Sequence, residues 1–234
     1  MARKSRFLVL TLFVAAMAWV ESAVVFYLRV MIDRIQPYQT DPLPVFAGLG
    51  EAELVREAAT LVMLLCAGWL AGAHWRQRLG YSMLAFGAWD LLYYVFLVPL
   101  SGWPNSLLDW DILFLIPLPW WGPVLAPASI ALSMVVAGSL IAGFDLWPRS
   151  PAWLGSACGA VLALYTFMAD ALRALPSGSQ AVRNVLPIEF NWSLFALGWV
   201  LMALPVVDML RQSLAQRWQA TMSRGASISL RDLS

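Results

Sequence analysis

Histidine is almost absent from this chain: one, His74, stands among 234 residues. Paired-histidine haem, copper and di-iron sites each need several ligands of that kind. None is expected here, and no metal or other cofactor is assigned. A Ser-His-carboxylate triad would need His74 to meet a serine across helices, and no nucleophile motif supports one. Beside Trp75 and Arg76, His74 reads as an interfacial residue. Cysteine is equally scarce. Cys66 and Cys158 lie in apolar stretches with no CxxC spacing, and read as packed thiols. There is no glycine-rich phosphate loop. GWLAG, AGSLIAG and GSACGA offer small residues suited to close helix packing. Charge is also in short supply: 12% of residues carry it, against about 25% in soluble domains. The net charge of +1 removes any bulk electrostatic case for nucleic acid as a partner.

Apolar residues take the place of what is missing. They make up 61% of the chain, and several runs exceed the roughly 18 residues that mark a spanning helix. Six spans are expected: Phe7–Val30, Leu54–Trp75, Leu79–Leu100, Val124–Phe144, Ala152–Leu172 and Ser193–Leu210. The fold class that follows is all-α, a polytopic transmembrane helical bundle with the lipid bilayer as its first partner. The apolar run after Met-Ala-Arg-Lys-Ser-Arg outlasts a signal peptide's h-region and reads as an uncleaved first helix. Residues 1–211 form one transmembrane domain and residues 212–234 a polar cytoplasmic tail, which begins as an extension of span six or an interfacial helix.

Arginine and lysine set the expected orientation. Arg3, Lys4, Arg6, Arg76, Arg78, Arg149, Arg211, Arg217, Arg224 and Arg231 all fall on one side of a six-span chain. The positive-inside rule makes that side cytoplasmic, with both termini there. On the outer side, Pro37–Gly50 reads as a loop. Ser101–Pro123 is rich in tryptophan (Trp103, Trp110, Trp120, Trp121) and has no basic residue. Its apolar core, Ile112–Leu118, is too short to span. A re-entrant or interface-lying segment is expected, an aromatic belt over the outer face. Asp90 before LIPLPWW and Asp170 before VLPIEFNW form a faint echo, of the kind duplicated transporter units leave.

Carboxylates inside apolar spans carry the functional signal, since each is costly in hydrocarbon. There are four: Glu21, Asp90, Asp170 and Asp208. Asp170 and Asp208 each have an arginine three residues on, Arg173 and Arg211, and read as ion pairs anchoring helix ends. Glu21 and Asp90 have no basic residue within a turn. Arg56 could reach Glu21, and Tyr93 and Tyr94 could offer hydroxyls on the Asp90 face. Glu21, Asp90, Arg56, Tyr93 and Tyr94 are therefore the candidate polar site. Glu57, Asp109, Asp111 and Glu189 are secondary candidates. Glu51, Glu53 and Glu57 also suit the dipole at the head of span two.

Three segments, REAATLVML, FGAWDLLYYVFL and DWDILFLIPLPWWGPVLAP, resemble an uncharacterised family of bacterial multi-pass inner-membrane proteins. The likeness covers Glu51 to Pro127 and implies an inner-membrane location, with no activity attached. EAELVREAATLVML superficially resembles the paired-Glu and Arg signature of intramembrane CaaX-type proteases. Ala52 splits the glutamates and the further histidines are missing, so that match is rejected. A second likeness is to lycopene-cyclase-type carotenoid enzymes, which have a Trp-Asp pair and a Pro-x-Glu-Glu motif. Trp89-Asp90 matches the first, and Pro187-Ile188-Glu189-Phe190 keeps one glutamate of the second. The first expectation is a non-catalytic membrane protein, a complex subunit or scaffold. The alternatives are a small proton-linked transporter using Glu21 and Asp90, and an enzyme acting on a lipid or isoprenoid.

Overall fold

The computed structural model describes residues 3–39 and 49–215. Six helices are long and apolar enough to cross a membrane. They are α1 (Arg3–Met31), α2 (Leu49–Ala71), α3 (Trp75–Ser101), α4 (Leu125–Phe144), α5 (Ser150–Ala174) and a sixth span, Trp192–Ala215. A short helix α6 (Ser179–Arg183) follows α5, and α7 (Trp192–Met202) opens the sixth span, which turns at Ala203 and resumes over 204–215. The helix continues through Gln212, so the expected tail begins as an extension of span six. The rest of that tail and residues 40–48 of the expected loop lie outside the described residues.

Large apolar side chains face outward along the spans, as a bilayer demands and water forbids: Leu12 is 62% exposed, Leu70 85% and Val161 65%. Cys66 and Cys158 share this exposed surface. They are not packed thiols, because their faces of α2 and α5 meet no neighbouring helix. Span two ends earlier than expected. The chain leaves the helix after Ala71, and Trp75 opens α3 instead.

Small residues set the closest helix contacts. A Cβ added at Gly138 of α4 would lie 2.5 Å from the Gly80 carbonyl oxygen of α3, and one at Gly159 of α5 would lie 2.4 Å from the Gly198 oxygen of α7. The backbones approach so nearly that only hydrogen fits between them. AGSLIAG and GSACGA thus serve the packing their composition predicts. α3 is the hub: α1, α2 and α4 all pack on it, around Leu10, Val14, Leu64, Tyr81 and Leu84.

The chain is mostly helical, and the tryptophan-rich segment is the exception to the expected all-α class. It forms an antiparallel hairpin of β1 (Trp110–Phe114) and β2 (Trp120–Pro123), with Asp111 opposite Gly122 and Ile112 opposite Trp121. Pro117 and Pro119 forbid a helix in the turn, while Trp110, Ile112 and Phe114 favour a pleated strand. α3 stops short of the hairpin with Gly102 in the left-handed region at φ 72°, its N–H on the Val98 carbonyl. Gly122 sits against the Phe167 ring of α5, where a Cβ would come within 2.7 Å. The echo between the two Pro-containing loops ends here, because VLPIEFNW follows a 3-10 turn and α6 and forms no strand before α7.

The two ends of the bundle differ. At one, Arg6 donates to the Ala71 carbonyl, Trp75 meets Trp147 edge-on, and the Arg149 N–H donates to Asp208. This is the termini end. The other is the hairpin end.

Candidate functional site

At the hairpin end a cavity of about 860 Å³ opens among α1, α2, α3, the hairpin, the start of α4 and Phe167 of α5. That volume lies in the range of small-molecule and cofactor sites, roughly 300–1,000 Å³. Its wall is mainly apolar and aromatic: Phe86, Trp89, Phe114, Trp120, Trp121 and Phe167 among others. Ten charged side chains also line it. Glu21, Glu51, Glu53, Glu57, Asp90 and Asp111 face four arginines, Arg29, Arg34, Arg56 and Arg183.

Two ion-pair clusters brace this wall. In the first, Arg56 of α2 pairs with Glu21 of α1 and with Glu53 one turn back. The Thr60 hydroxyl donates to the other Glu21 oxygen at 3.4 Å. Glu21 therefore has partners, and the reach of Arg56 is the reason.

The second cluster holds the hairpin. Arg29, near the end of α1, donates to Asp111 of β1 at 2.9 Å, with side chains 7% and 1% exposed. The same guanidinium reaches the Tyr93 hydroxyl and the Ile35 carbonyl, and lies 4.1 Å over the Trp103 ring. The Tyr94 hydroxyl donates to the second Asp111 oxygen at 3.2 Å. Burial pushes the Asp111 pKa up, against the pull of Arg29, Tyr94 and the Ile112 N–H. The pair thus fixes the hairpin's place rather than adding net stability. Glu57 completes the hold, accepting the Leu115 N–H of the hairpin turn at 3.0–3.1 Å.

These contacts correct the expected role of the tyrosines. Tyr93 and Tyr94 turn to Arg29 and Asp111, because each ring carries its hydroxyl past the short Asp90 side chain on the same helix. Among the described residues, no hydrogen bond or ion pair reaches the Asp90 carboxylate. It lies mid-helix on α3 and lines the cavity. Trp89, its neighbour in sequence, is 5% exposed, and the buried indole N–H groups of Trp89, Trp120 and Trp121 find no acceptor among the described residues. A buried donor left unpaired costs about 1–3 kcal/mol, so stability alone does not account for this aromatic wall.

The other candidates stand elsewhere. Asp109 accepts the Asn105 and Ser106 N–H groups and shapes the loop before the hairpin, outside the cavity. Glu189 is exposed and also off the cavity wall, so Trp89-Asp90 and the Pro187–Phe190 stretch do not converge. Asp170 pairs with Arg173 at 2.7 Å as its spacing predicts. Asp208 instead takes the Arg149 N–H at 2.7 Å and the Gln212 amide at 2.9 Å, capping the start of α5, because the neighbouring helix end supplies a nearer donor than Arg211. His74 lies 3.7 Å from Asp145 at the termini end. No group of three or more metal-ligating side chains forms among the described residues.

Sequence reasoning passed over Arg29. An arginine one turn from a helix end reads as a boundary marker, and only the folded hairpin brings Asp111 to it. The available signal was an unmatched aspartate in a segment without basic residues. No family model, curated protein or solved structure matches the chain.

Proposed function

We propose that this chain is a membrane receptor or carrier for an amphipathic small molecule, bound in the cavity at the hairpin end. One observation carries the reading: the cavity joins a broad aromatic and aliphatic wall to ten charged side chains, five of them in two ion-pair clusters. An amphiphile needs both, a dry surface for its chain and polar groups for its head. A scaffold or complex subunit has no need of such a space. A carrier that moves protons through Glu21 and Asp90 together is less well supported, since Glu21 is bound by Arg56 and Thr60 while Asp90 stands apart.

The gathering of Arg6, Arg76, Arg78 and Arg149 at the termini end supports a cytoplasmic side there, with the hairpin and cavity mouth on the far side. The bacterial inner membrane is the membrane the sequence resemblance favours.

Lipid extraction and mass spectrometry of purified protein test the reading. One class of amphiphile is expected to be enriched over its share of the membrane. Ile130→Trp, which fills part of the cavity, is expected to remove that enrichment. Lipid in bulk proportions from both proteins would sink the proposal.

A further inference from the structure

The cavity wall also specifies the head group, an inference that rests on the amphiphile reading. Arg29 is taken up by Asp111, and Arg56 is shared by Glu21 and Glu53. Glu57 is satisfied by the Leu115 N–H. Three wall groups are left without a partner among the described residues: Glu51 and Arg183, which are exposed, and Asp90, a half-buried carboxylate with no cation or donor of its own. Along the wall carboxylates outnumber guanidiniums six to four. An anionic head would meet Asp90 and be repelled. A neutral head would leave the carboxylate uncompensated in a site of low polarity, which is costly.

Trp89 and Tyr93 stand beside Asp90 on α3 and line the same space, as does Phe86 one turn back. Aromatic faces near a carboxylate attract a cation through the ring quadrupole. A multivalent metal ion fits poorly, since no group of three metal-ligating side chains forms about Asp90 among the described residues. We propose that the ligand's head is an organic ammonium, paired with the Asp90 carboxylate and flanked by these rings, while its chain follows the apolar wall.

Three photoactivatable probes of equal chain length, an alkylamine, an alcohol and a carboxylate, test this on the full chain in maltoside detergent. Labelling of residues 110–121 is read by mass spectrometry as a ratio to labelling of the lipid-facing stretch 61–70, which cancels differences in micelle partition. The amine ratio is expected to exceed the alcohol ratio roughly tenfold, the worth of one charge-assisted contact. Asp90→Asn should bring the amine ratio down to that of the alcohol and leave the alcohol ratio unchanged, which also shows that the variant folds. Asp90→Glu should keep the preference. Equal ratios for all three probes, each above background, would overturn the ammonium head and leave the amphiphile reading standing. A carboxylate preference would overturn it too. Ratios at background for every probe would remove both. Competition by butylammonium, the head without the chain, separates the sources. Displacement only by long-chain amines assigns a lipid, and displacement by butylammonium at the same concentration assigns a free amine.

Discussion

The first four spans and the last two carry carboxylate–arginine pairs of the same chemistry at opposite degrees of burial. In the first four, Arg29 and Asp111 are 7% and 1% exposed and tie a helix to a hairpin. In the last two, Arg173 is 66% exposed beside Asp170, and Arg149 is 76% exposed beside Asp208. Surface pairs of the second kind add little, about 0–1 kcal/mol, and hold helix ends. Buried pairs of the first kind fix position at the cost of desolvation. This molecule accepts energetic cost around the cavity and avoids it at its helix ends.

Breaking the buried pair should have the largest effect. Arg29→Ala takes the only cation from the buried Asp111, leaving it the Tyr94 hydroxyl and the Ile112 N–H, and about 3–5 kcal/mol of stability should be lost. The measurement is the thermal midpoint and folded yield in detergent. The double change Arg29→Met with Asp111→Leu should recover most of that loss, and no recovery would mean that the pair contributes more than placement.

Next come the glycine contacts, which sit in both halves and should therefore respond alike. Gly138→Ala and Gly159→Ala each place a Cβ within about 2.5 Å of a carbonyl oxygen on the facing helix. Each should cost about 1–3 kcal/mol through forced separation of the helices, read as a fall in the thermal midpoint. A tolerated alanine would show that the helices part more easily than the packing implies.

Glu57→Ala should cost less, about 1–2 kcal/mol, by stripping the acceptor from the Leu115 N–H. Amide exchange at Leu115 should quicken while the helices keep their protection. Asp170→Asn should change least, within about 0.5 kcal/mol. A midpoint shift comparable to that of Arg29→Ala would erase the contrast between the halves.

The sequence by itself determined the six apolar helices, because hydrocarbon leaves the backbone few alternatives to internal hydrogen bonding and a run of about 20 apolar residues declares itself. It also determined the glycine contacts in the fourth and fifth spans and the Asp170–Arg173 pair, since their physics is local. Glu21 with Arg56 was legible too, as two opposite charges placed at similar depth. The hairpin was not. Its strands are four and five residues long, and a short apolar run does not reveal its period. The Arg29–Asp111 pair spans 82 residues and exists only once the hairpin folds back onto α1. That fold drew Tyr93 and Tyr94 away from Asp90. The sequence could mark Asp90 as costly, but its isolation depends on where every neighbouring donor points, and only tertiary structure decides that.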